Sequence, residues 1–548
     1  MFVREIAKNN GNVQIVVVKS VRVKGSVKQK RIKSFGTHKD PEIIKQVKAT
    51  AEAAIPFLMN ERKPLLPGLD PQEYYQTKKK TSAVSDDLVS VHSIQEKARI
   101  SHGVKDVFGE VYRQLTLDTL VSGTRKDEDW NEILKTCVLE RVRDPRSKLK
   151  TACDAEESIN QNLPVEKIYR MMDKLYPLEQ IVKDKILSAT LDLFQQQLDV
   201  MFFDVTTLYF ESHKEDDLRK FGFSKDCKFK ETQVVLALIT TERGLPVTYE
   251  LFPGNTSEGK TLIALVEKLK NQFQSRRIRF IADRAMFTKE NLKKLEDLSV
   301  DFVVACKLKS LSKQHKESIL SSNDRFFQGD DYHKEIEIDN RRLIVSYSKT
   351  RASKDKKDRE RLIERLKKMV PKVAENKIPL TDLIKNRGTK KYLKITKAGS
   401  AEIDDDKLSQ EERWDGLHGV ITNIKTVEAK EILSQYRQLW QIEEAFRVNK
   451  NDLKMRPIYH WKPSRIKAHI LICYMAYSLS VHLRDQLKAQ DIDLSIRKIR
   501  EILGKVQTSV IWDRKSKKTF CIPSKASDLQ VKIYQAVGLT LQQSVQLN

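Results

Sequence analysis

The sequence predicts a multidomain α/β protein with a mixed sheet flanked by helices, an insertion of mixed strands and helix, and helical amino- and carboxy-terminal regions. Its 548 residues exceed the 250 to 300 residues or so at which single cores stop growing. From Leu198 onward, three strand patterns come first and helix and strand patterns then alternate. That order is typical of a mixed sheet covered by helices.

The chain divides into five segments by these patterns. Residues 1–40 form a basic β-hairpin region with β-branched alternation, and 41–197 follow a helical period. Residues 198–309 and 410–460 form the central domain, and 310–409 form the insertion. Residues 461–548 are predicted to be mainly helical.

The charge balance favours a polyanionic partner. Lys and Arg number 101 against 75 Asp and Glu, which gives a net charge of +26. Residues 1–80 alone carry 17 Lys or Arg and 7 Asp or Glu, a net charge of 17 − 7 = +10. Such a field attracts nucleic acid or an anionic membrane surface, and an ordinary basic enzyme is the alternative.

Cysteine spacing and hydropathy indicate the cellular compartment in which the protein is expected. Six cysteines lie far apart without zinc-site spacing, which indicates a reducing compartment. The first residues lack the apolar core of a signal peptide, and the apolar run from Ile470 to Leu483, broken by His482, is too short to span a bilayer. We therefore expect a cytoplasmic protein that does not enter a membrane.

Asp204 lies inside an otherwise apolar strand pattern, where a lone carboxylate is costly to bury. Alternation places it on one face with Val200, Phe202 and Thr206. Asp283 ends the strand pattern RIRFIAD, and ligand sites gather at the carboxyl ends of strands. Structural alternatives remain open: hydrogen bonds from neighbouring backbone or Thr206 to Asp204, and for Asp283 a helix N-cap or an ion pair with Arg284.

A helix predicted from about residue 430 to 454 carries a third carboxylate, Glu443. Leu439 belongs to a neighbouring apolar stripe that is expected to be core. The helix face with Glu443 suits DNA, because aromatic rings contact bases or sugars and cations contact phosphates. A salt-bridged solvent surface is the alternative. The other residues of this face are Tyr436, Trp440, Arg447 and Lys450.

Two strand carboxylates and one helix carboxylate brought together would form an all-oxygen site for two Mg²⁺ or Mn²⁺ ions. Two such ions about 4 Å apart promote in-line phosphoryl transfer. Such a site would explain why these acidic residues occur in a strongly basic protein, because they would bind the metal ions while the basic surface binds DNA.

The motifs DVTTLYFES, IADRAMF and YRQLWQIEEAFRVNK resemble bacterial insertion-sequence transposases of the DDE type, which have a ribonuclease-H-like catalytic domain and a Tyr-x₂-Arg-x₃-Glu-x₆-Lys signature. Two further stretches, one beginning at Gly222 and the other, RPIYHWKPSRIKAHI, after the signature helix, also look like this family. The likeness runs from about Leu198 to Leu483 and is interrupted by the insertion, which the family also carries.

The resemblance implies that Asp204, Asp283 and Glu443 are the metal-binding catalytic triad. It also implies that Tyr436 and Lys450 contact DNA at the transposon end. The signature Arg is replaced by Leu439, and the neighbouring Arg437 or Arg447 is a candidate substitute for the missing charge. The full expected site comprises Asp204, Asp283, Glu443, Tyr436, Arg437, Trp440, Arg447 and Lys450.

The function expected from the resemblance is binding of terminal inverted repeats, DNA cleavage, and joining of 3′-hydroxyls to target DNA. Double-stranded DNA is the expected partner and a homodimer the expected synaptic unit, in a bacterial cytoplasm and on the nucleoid when bound. Residues 41–197 are expected to bind the DNA ends, and residues 461–548 are expected to take part in DNA binding or oligomerisation. Two alternatives stay open: a metal-dependent nuclease on the same fold without strand transfer, and a catalytically inactive DNA-binding protein.

Overall fold

The computed structural model describes residues 1–8, 11–23, 26–53, 55, 91–121, 124–159, 163–194, 200–223, 230–272, 278–283, 288–321, 332–375, 379, 381, 387–395 and 401–547. The amino-terminal part is an antiparallel sheet with the order β1-β2-β3. Its buried core contains Ile15, Val17 and Ala51. The predicted hairpin corresponds to two of the three strands, and Gly25 between those two strands lies outside the described residues. The elements are β1 (Phe2–Ala7), β2 (Val13–Val23), β3 (Ser26–His38) and α1 (Pro41–Ala53).

A helical region follows, and the helix that begins at Arg125 has a capping signal at its amino end. Thr124 and Asp127 form a capping box, in which each side chain accepts a hydrogen bond from the other residue's backbone N–H. The region also contains a strand that the helical period did not predict. The elements are β4 (Ile94–Ser101), α2 (Gly103–Gln114), α3 (Arg125–Arg143), α4 (Lys148–Ile159), α5 (Val165–Leu175) and α6 (Glu179–Phe194).

The centre of the molecule is the mixed sheet that the sequence predicts. Its strands β7-β6-β5-β8-β9 are neighbours in that order, with β5, β8 and β9 parallel and β6 antiparallel to both β5 and β7. Gly244 has a φ of +78° in the turn between β6 and β7. The elements are β5 (Val200–Tyr209), β6 (Gln233–Thr241), β7 (Pro246–Pro253), α7 (Glu258–Gln272), β8 (Arg279–Ala282), α8 (Lys289–Asp297) and β9 (Asp301–Cys306).

The segment predicted as an insertion continues this sheet. Strand β11 pairs antiparallel with β14 and with β10, so the full order is β10-β11-β14-β9-β8-β5-β6-β7. Residues 310–409 were predicted as a separate insertion because periodicity carries no information on which distant strands pair. The elements are α9 (Lys313–Leu320), β10 (His333–Ile338), β11 (Arg341–Tyr347), α10 (Lys349–Ala374), α11 (Arg387–Lys390), β12 (Leu393–Ile395), β13 (Ala401–Ile403), α12 (Asp405–Glu412) and β14 (Leu417–Thr422).

The segment 461–548, which was predicted to be mainly helical, contains three helices and also three strands among its described residues. Three of its strands join β4 in a four-stranded antiparallel sheet with the order β17-β16-β15-β4, which links residues about 400 positions apart. The elements are α13 (Ala429–Arg437), α14 (Trp440–Arg447), a π-helix (Val448–Asp452), α15 (Pro463–Lys488), α16 (Ile496–Leu503), β15 (Gln507–Asp513), β16 (Thr519–Pro523), α17 (Asp528–Ala536) and β17 (Gln546–Leu547).

Helix α15 is the single helix of the described part that is long and apolar enough to cross a membrane by length and composition, and 94% of its most apolar window is buried inside the protein. Such burial is typical of a core helix. The predicted apolar run is broken by His482, yet the helix continues to Lys488. The ring of His482 is buried, with Nδ1 2.7 Å from the Ser478 carbonyl oxygen and Nε2 2.9 Å from Thr190 Oγ1.

Both faces of the central sheet are covered. Side chains of one face, including Val200 and Phe202, pack in a core with helices α14 and α15. Side chains of the other face, including Met201 and Phe203, pack against helices α7 and α8. The alternation of β5 therefore separates two cores, and a residue's position along the strand decides which core it faces.

Candidate active site

Asp204 and Asp283 occupy adjacent positions on neighbouring parallel strands. The register pairs Phe203 of β5 with Ala282 of β8, and the next residue along each chain is the aspartate. Neighbouring strands lie about 4.8 Å apart, so the two backbones bring these carboxylates close together. Strand β8 ends at Ala282, which places the pair at its carboxyl end, as the sequence predicted for Asp283.

The two aspartates and the helix with Glu443 lie on one face of the sheet. Asp204 follows Phe202 by two residues, and Asp283 follows Ile281 by two, so each continues the face of a residue in the same core. Ile442 and Phe446 of α14 belong to that core as well. Helix α14 packs directly against β5 and β6. The predicted placement of Asp204 on the face of Val200 and Phe202 thus agrees with the structure.

Asp204 accepts a hydrogen bond from neighbouring backbone, which is one of the structural roles that the sequence left open for it. Its Oδ1 accepts a hydrogen bond of 2.7 Å from the backbone N–H of Val205. The side chain is half-buried while most of the strand around it is buried. For Asp283, the next described helix begins at Lys289 with Thr288 as N-cap, and Arg284 lies outside the described residues. Asp283 is therefore not the N-cap of that helix.

The predicted single helix from residue 430 to 454 is in fact three pieces. Helix α13 ends at Arg437, α14 begins at Trp440, and a π-helix runs from Val448 to Asp452. Four hydrogen bonds at the first junction span three residues, including Gln438 N–H to the Gln435 carbonyl at 3.0 Å. This tightening rotates later residues relative to an unbroken α-helix, and periodicity alone did not reveal it.

The predicted DNA-contact residues differ in exposure. Trp440 is 55% exposed, and Arg437 and Arg447 are also exposed. Arg447 Nε donates a 2.7 Å hydrogen bond to Glu444, which agrees with the salt-bridged alternative at this position. Tyr436 is half-buried and its ring lies 5.1 Å from that of His418 on β14. Lys450 is half-buried in the π-helix, so this group of residues does not form one uniform surface stripe.

Leu439 is buried, 9% exposed, in the core that contains Ile442 and Phe446. This agrees with its predicted place on the apolar stripe. A cation at this position would have to enter the core. Arg437 lies on the exposed surface two residues before it, and Arg447 lies one turn beyond Glu443.

Two arginines from distant helices contact the end of the π-helix. Arg500 of α16 donates a 3.1 Å hydrogen bond to the Asp452 carbonyl, and Arg141 of α3 lies 3.5 Å from the Leu453 carbonyl. Carbonyls at a helix carboxyl end need donors, and cations there are favourable. The terminal regions therefore support the helix that carries Glu443 and Lys450, a role that sequence reasoning missed because both donors are distant in the chain.

The charge of Arg141 also acts on other buried ionisable side chains, beginning with Lys148. Burial, followed by the charge of Arg141, lowers the pKa of Lys148 to about 8. Burial, followed by the charge of Lys148, lowers the pKa of His460 to about 3, and burial also lowers the pKa of His469. Both imidazoles are therefore neutral at pH 7, and the positive charge of this region comes from its lysine and arginine side chains.

Arg279 is a second residue that sequence reasoning missed. It begins β8, four residues before Asp283, and its Nη1 lies 2.6 Å from Gln435 Oε1 and 3.7 Å from Glu431 Oε1 of α13. It thereby ties the strand that leads to Asp283 to the helix that precedes Glu443. A charged residue at the start of a short apolar strand was the available sequence signal.

In the part of the chain that the structure describes, no three His, Cys, Asp or Glu side chains form a group able to hold a metal ion. Asp204 and Asp283 are brought together by strand register, whereas Glu443 is exposed on the overlying helix. The donor chemistry still fits a hard divalent cation, because all three groups are carboxylates on one face. Glu443 must turn inward for the three to share ions.

Carboxylates from two parallel strands and one covering helix, on a basic α/β protein, are typical of metal-dependent phosphoryl-transfer sites. The model of the family described as Transposase DDE domain matches residues 195–479, just over half of the chain. The chain belongs to this family, and the matched segment contains all three carboxylates. No curated protein matches the chain.

Among solved structures, the piggyBac transposase synaptic complex with hairpin DNA is 8% identical, with a TM-score of 0.38 over 73% of this chain and 76% of that chain. The Mos1 transposase paired-end complex with left transposon end is 13% identical, with a TM-score of 0.15 over 31% and 57%. The Mos1 mariner paired end complex with Mn is 11% identical, with a TM-score of 0.14 over 46% and 71%. These overall likenesses are too low to define a common fold.

Proposed function

We propose that this protein is a DNA transposase that binds the terminal inverted repeats of a bacterial insertion sequence, cleaves there, and joins the 3′-hydroxyl ends to target DNA. One observation carries the proposal. The register of β5 and β8 brings Asp204 and Asp283 together on the sheet face that is covered by the helix of Glu443. Membership of the transposase family supports the same reaction class.

In this proposal Asp204, Asp283 and Glu443 hold two Mg²⁺ or Mn²⁺ ions. The ions, when bound, activate the attacking oxygen and stabilise the leaving oxygen of an in-line phosphoryl transfer. Asp204 lies within hydrogen-bonded strand β5 and Asp283 directly follows hydrogen-bonded strand β8, so these two residues set the position of the site. Glu443 is the adjustable third ligand, because its side chain has three rotatable bonds and is exposed on the helix.

The surface around the carboxylates is proposed to hold the DNA. Trp440 is exposed and offers a ring for base or sugar contact, while Arg437 and Arg447 offer charge to phosphates. Tyr436 and Lys450 are more enclosed, so in this proposal they contact DNA that approaches the carboxylates closely. The burial of Leu439 supports the view that neighbouring arginines supply the charge of the signature Arg.

The proposal also includes the catalytic-domain fold, the signature subgroup, the partners and the location of the protein. The meander β5-β6-β7 followed by parallel β8 and β9, with helices on both faces, supports a ribonuclease-H-like catalytic domain. The spacing of Tyr436, Glu443 and Lys450 supports the Tyr-x₂-Arg-x₃-Glu-x₆-Lys subgroup. Double-stranded DNA, a homodimer in the synaptic complex, and a cytoplasmic location on bacterial DNA complete the proposal.

The test is cleavage and strand transfer with Mg²⁺ on a labelled fragment that carries the element's own terminal repeat. Wild type is compared with Glu443→Gln and with a control, Glu290→Gln, whose carboxylate is on the surface of α8 and pairs with Lys294. We expect nicks at the repeat boundary and joined products, both lowered by about a hundredfold or more in Glu443→Gln and unchanged in the control.

Three outcomes would contradict the proposal. Equal rates in wild type and Glu443→Gln would remove Glu443 from the site. Nicks without joined products would favour a nuclease on the same fold. Specific binding to the repeat without any cleavage by wild type would favour an inactive DNA-binding protein.

A further inference from the structure

Two buried cations lie among helices α3, α4 and α15 without a carboxylate partner. Arg141 of α3 and Lys148, the first residue of α4, are each 4% exposed. Burial lowers the pKa of Lys148 to about 8, so this side chain is still a cation at pH 7. Within the described residues, neither side chain forms an ion pair with Asp or Glu. A buried charge without a partner is costly, so a compensating anion is expected here.

The acidic residues next to Arg141 in the chain are paired with other arginines. Glu140 accepts a 2.9 Å hydrogen bond from Arg143 Nε, and Asp144 accepts a 2.6 Å hydrogen bond from Arg146 Nε. Their charges are thereby compensated by these partners. The positive charges of Arg141 and Lys148 are left without a counter-charge from this part of α3.

Two buried nitrogen atoms in the same region have no hydrogen-bond partner among the described protein atoms. They are Arg141 Nε and His469 Nδ1. His469 is 5% exposed, and its Nε2 lies 3.1 Å from the Met455 carbonyl oxygen. A carbonyl oxygen can only accept, so Nε2 carries the hydrogen and Nδ1 of the neutral ring is an acceptor. One donor and one acceptor are therefore unsatisfied, although buried polar groups are generally hydrogen-bonded.

Backbone contacts and charges place these groups together. Arg141 Nη1 lies 3.5 Å from the Leu453 carbonyl oxygen, and His469 contacts the carbonyl of Met455, two residues further along. Burial lowers the pKa of His469 first, and the charges of Arg141 and Lys148 follow in that order. Each basic side chain is thus within electrostatic range of the other two. Arg141, Lys148 and His469 are called the buried basic cluster below.

The surroundings of the buried basic cluster favour a small anion. Lys148 begins α4, whose amino end carries the positive end of the helix dipole. Burial raises the pKa of the Cys137 and Cys473 thiols, so both are neutral and add no negative charge. The half-buried ring of His460 lies 5.5 Å from that of His469 and marks the solvent side of the cluster. A DNA duplex is too wide to enter such an interior.

The unsatisfied atoms select among small anions. Arg141 Nε and Lys148 Nζ offer hydrogens, whereas His469 Nδ1 needs one. The matching ligand accepts hydrogen bonds through anionic oxygens and also donates one. Inorganic phosphate at pH 7 keeps at least one P–OH group, whereas sulfate and a phosphodiester have no hydrogen to donate.

We propose that Arg141, Lys148 and His469 form a binding site for one inorganic phosphate ion. Arg141 Nε and Lys148 Nζ donate to its oxygens, and its P–OH donates to His469 Nδ1. The ion joins α3, α4 and α15 behind the end of the π-helix that carries Lys450. This proposal does not rest on the proposed function, because it needs neither DNA nor a divalent metal ion.

The test is isothermal titration calorimetry of the full chain with inorganic phosphate at pH 7 in EDTA, with chloride keeping the ionic strength constant. We expect one phosphate per chain. Phosphate at a hundred times its Kd should raise the melting temperature by about 2 °C. Sulfate and dimethyl phosphate should bind about tenfold more weakly or worse, because each leaves Nδ1 unpaired.

Lys148→Met is the variant, because Met is of similar length but has no charge. Phosphate affinity should fall by about a hundredfold, while the melting temperature without phosphate should stay equal or rise, since an unpaired buried charge is removed. Lys167→Met is the matched control, since Lys167 is exposed on α5 and the change in net charge is the same. Its phosphate affinity should equal that of wild type.

Four outcomes would overturn the proposal. They are no saturable phosphate binding, equal affinities for sulfate and phosphate, wild-type affinity in Lys148→Met, and displacement of phosphate by dimethyl phosphate or a short duplex at equal concentration. The comparison of phosphate with sulfate uses wild type alone, so it decides the matter even if Lys148→Met does not fold. The catalytic test is separate, because a chain that does not cleave DNA can still bind phosphate and the reverse.

Discussion

The central sheet and the amino-terminal sheet use charged residues in opposite ways. Strand β6 is buried along its whole length, and β5 is buried except at Asp204 and Tyr209. In the amino-terminal sheet, a small core supports strand β3, on which Lys28, Lys30 and Arg31 are exposed. One region places single charges by strand register, and the other spreads charge over a surface. We therefore expect activity to depend on the positions of individual charged residues in the central sheet, and DNA binding to depend on the density of charge on the amino-terminal sheet.

The largest effect should come from Asp204→Asn. The amide keeps the size of the side chain but cannot neutralise a divalent cation, so cleavage should fall by about a hundredfold or more. Stability should change by no more than about 1 kcal/mol, because a half-buried charge in an apolar strand is removed. Melting temperature with and without Mn²⁺ adds a direct readout, since bound ions stabilise the folded state.

The control for Asp204→Asn is Asp297→Asn, an exposed aspartate at the end of α8. Mn²⁺ should raise the melting temperature of wild type and of the control more than that of Asp204→Asn. If Mn²⁺ stabilises all three equally, register does not define the metal site and the comparison with the amino-terminal sheet fails.

The second effect concerns the residue that replaces the signature Arg. Leu439→Arg restores the signature but places a cation among Ile442 and Phe446. The free energy of unfolding should fall by about 2 to 4 kcal/mol. Leu439→Met, which keeps size and polarity, should cost less than about 1.5 kcal/mol. Urea unfolding of both variants measures this. A fully stable Leu439→Arg would mean that the position opens to the surface.

A smaller effect should come from Arg500, which supports the π-helix from outside the central sheet. Arg500→Ala leaves the Asp452 and Val142 carbonyls without this donor, and the free energy of unfolding should fall by about 1 to 2 kcal/mol. Arg497→Ala is the matched control on the same helix. Its side chain is 73% exposed and pairs with Glu501 on the surface, so its effect should stay near about 0.5 kcal/mol.

Chemical denaturation and cleavage assays together decide what Arg500 does. If it positions the helix of Glu443 and Lys450, Arg500→Ala should also slow cleavage at saturating DNA, and Arg500→Lys should recover part of the rate. Loss of stability without any change in rate would limit Arg500 to a structural role.

Local pattern was sufficient for the parts of the site that depend on one strand or one helix face. A carboxylate inside an apolar strand made Asp204 a candidate site residue, and alternation predicted the sheet face on which the structure places it. The three-and-four spacing placed Leu439 in the core. These features depend on neighbours within a few residues, so periodicity describes them directly.

Pairing and helix continuity were the parts that the sequence did not predict. Strand β4 pairs with β15 about 400 residues away, and β11 pairs with β14 across the predicted insertion. No local pattern specifies such partners. The sequence does not reveal the break after Arg437, because no Gly or Pro marks it. The spacing of seven residues from Tyr436 to Glu443 is the same whether the helix is continuous or is tightened by hydrogen bonds that span three residues.

The smallest effects per residue should come from the amino-terminal sheet, if its cations bind DNA as the proposed function expects. A triple variant, Lys28→Gln, Lys30→Gln and Arg31→Gln, should weaken binding to any duplex and lower the slope of log affinity against log salt by about 0.9 for each phosphate that is no longer neutralised. Cleavage at saturating DNA should not change. Three Lys→Gln changes at exposed positions of α10, namely Lys354, Lys356 and Lys357, give the matched decrease of net charge. If both triple variants lower the slope equally, total charge rather than the β3 surface determines binding, and the amino-terminal sheet has no special role in holding DNA.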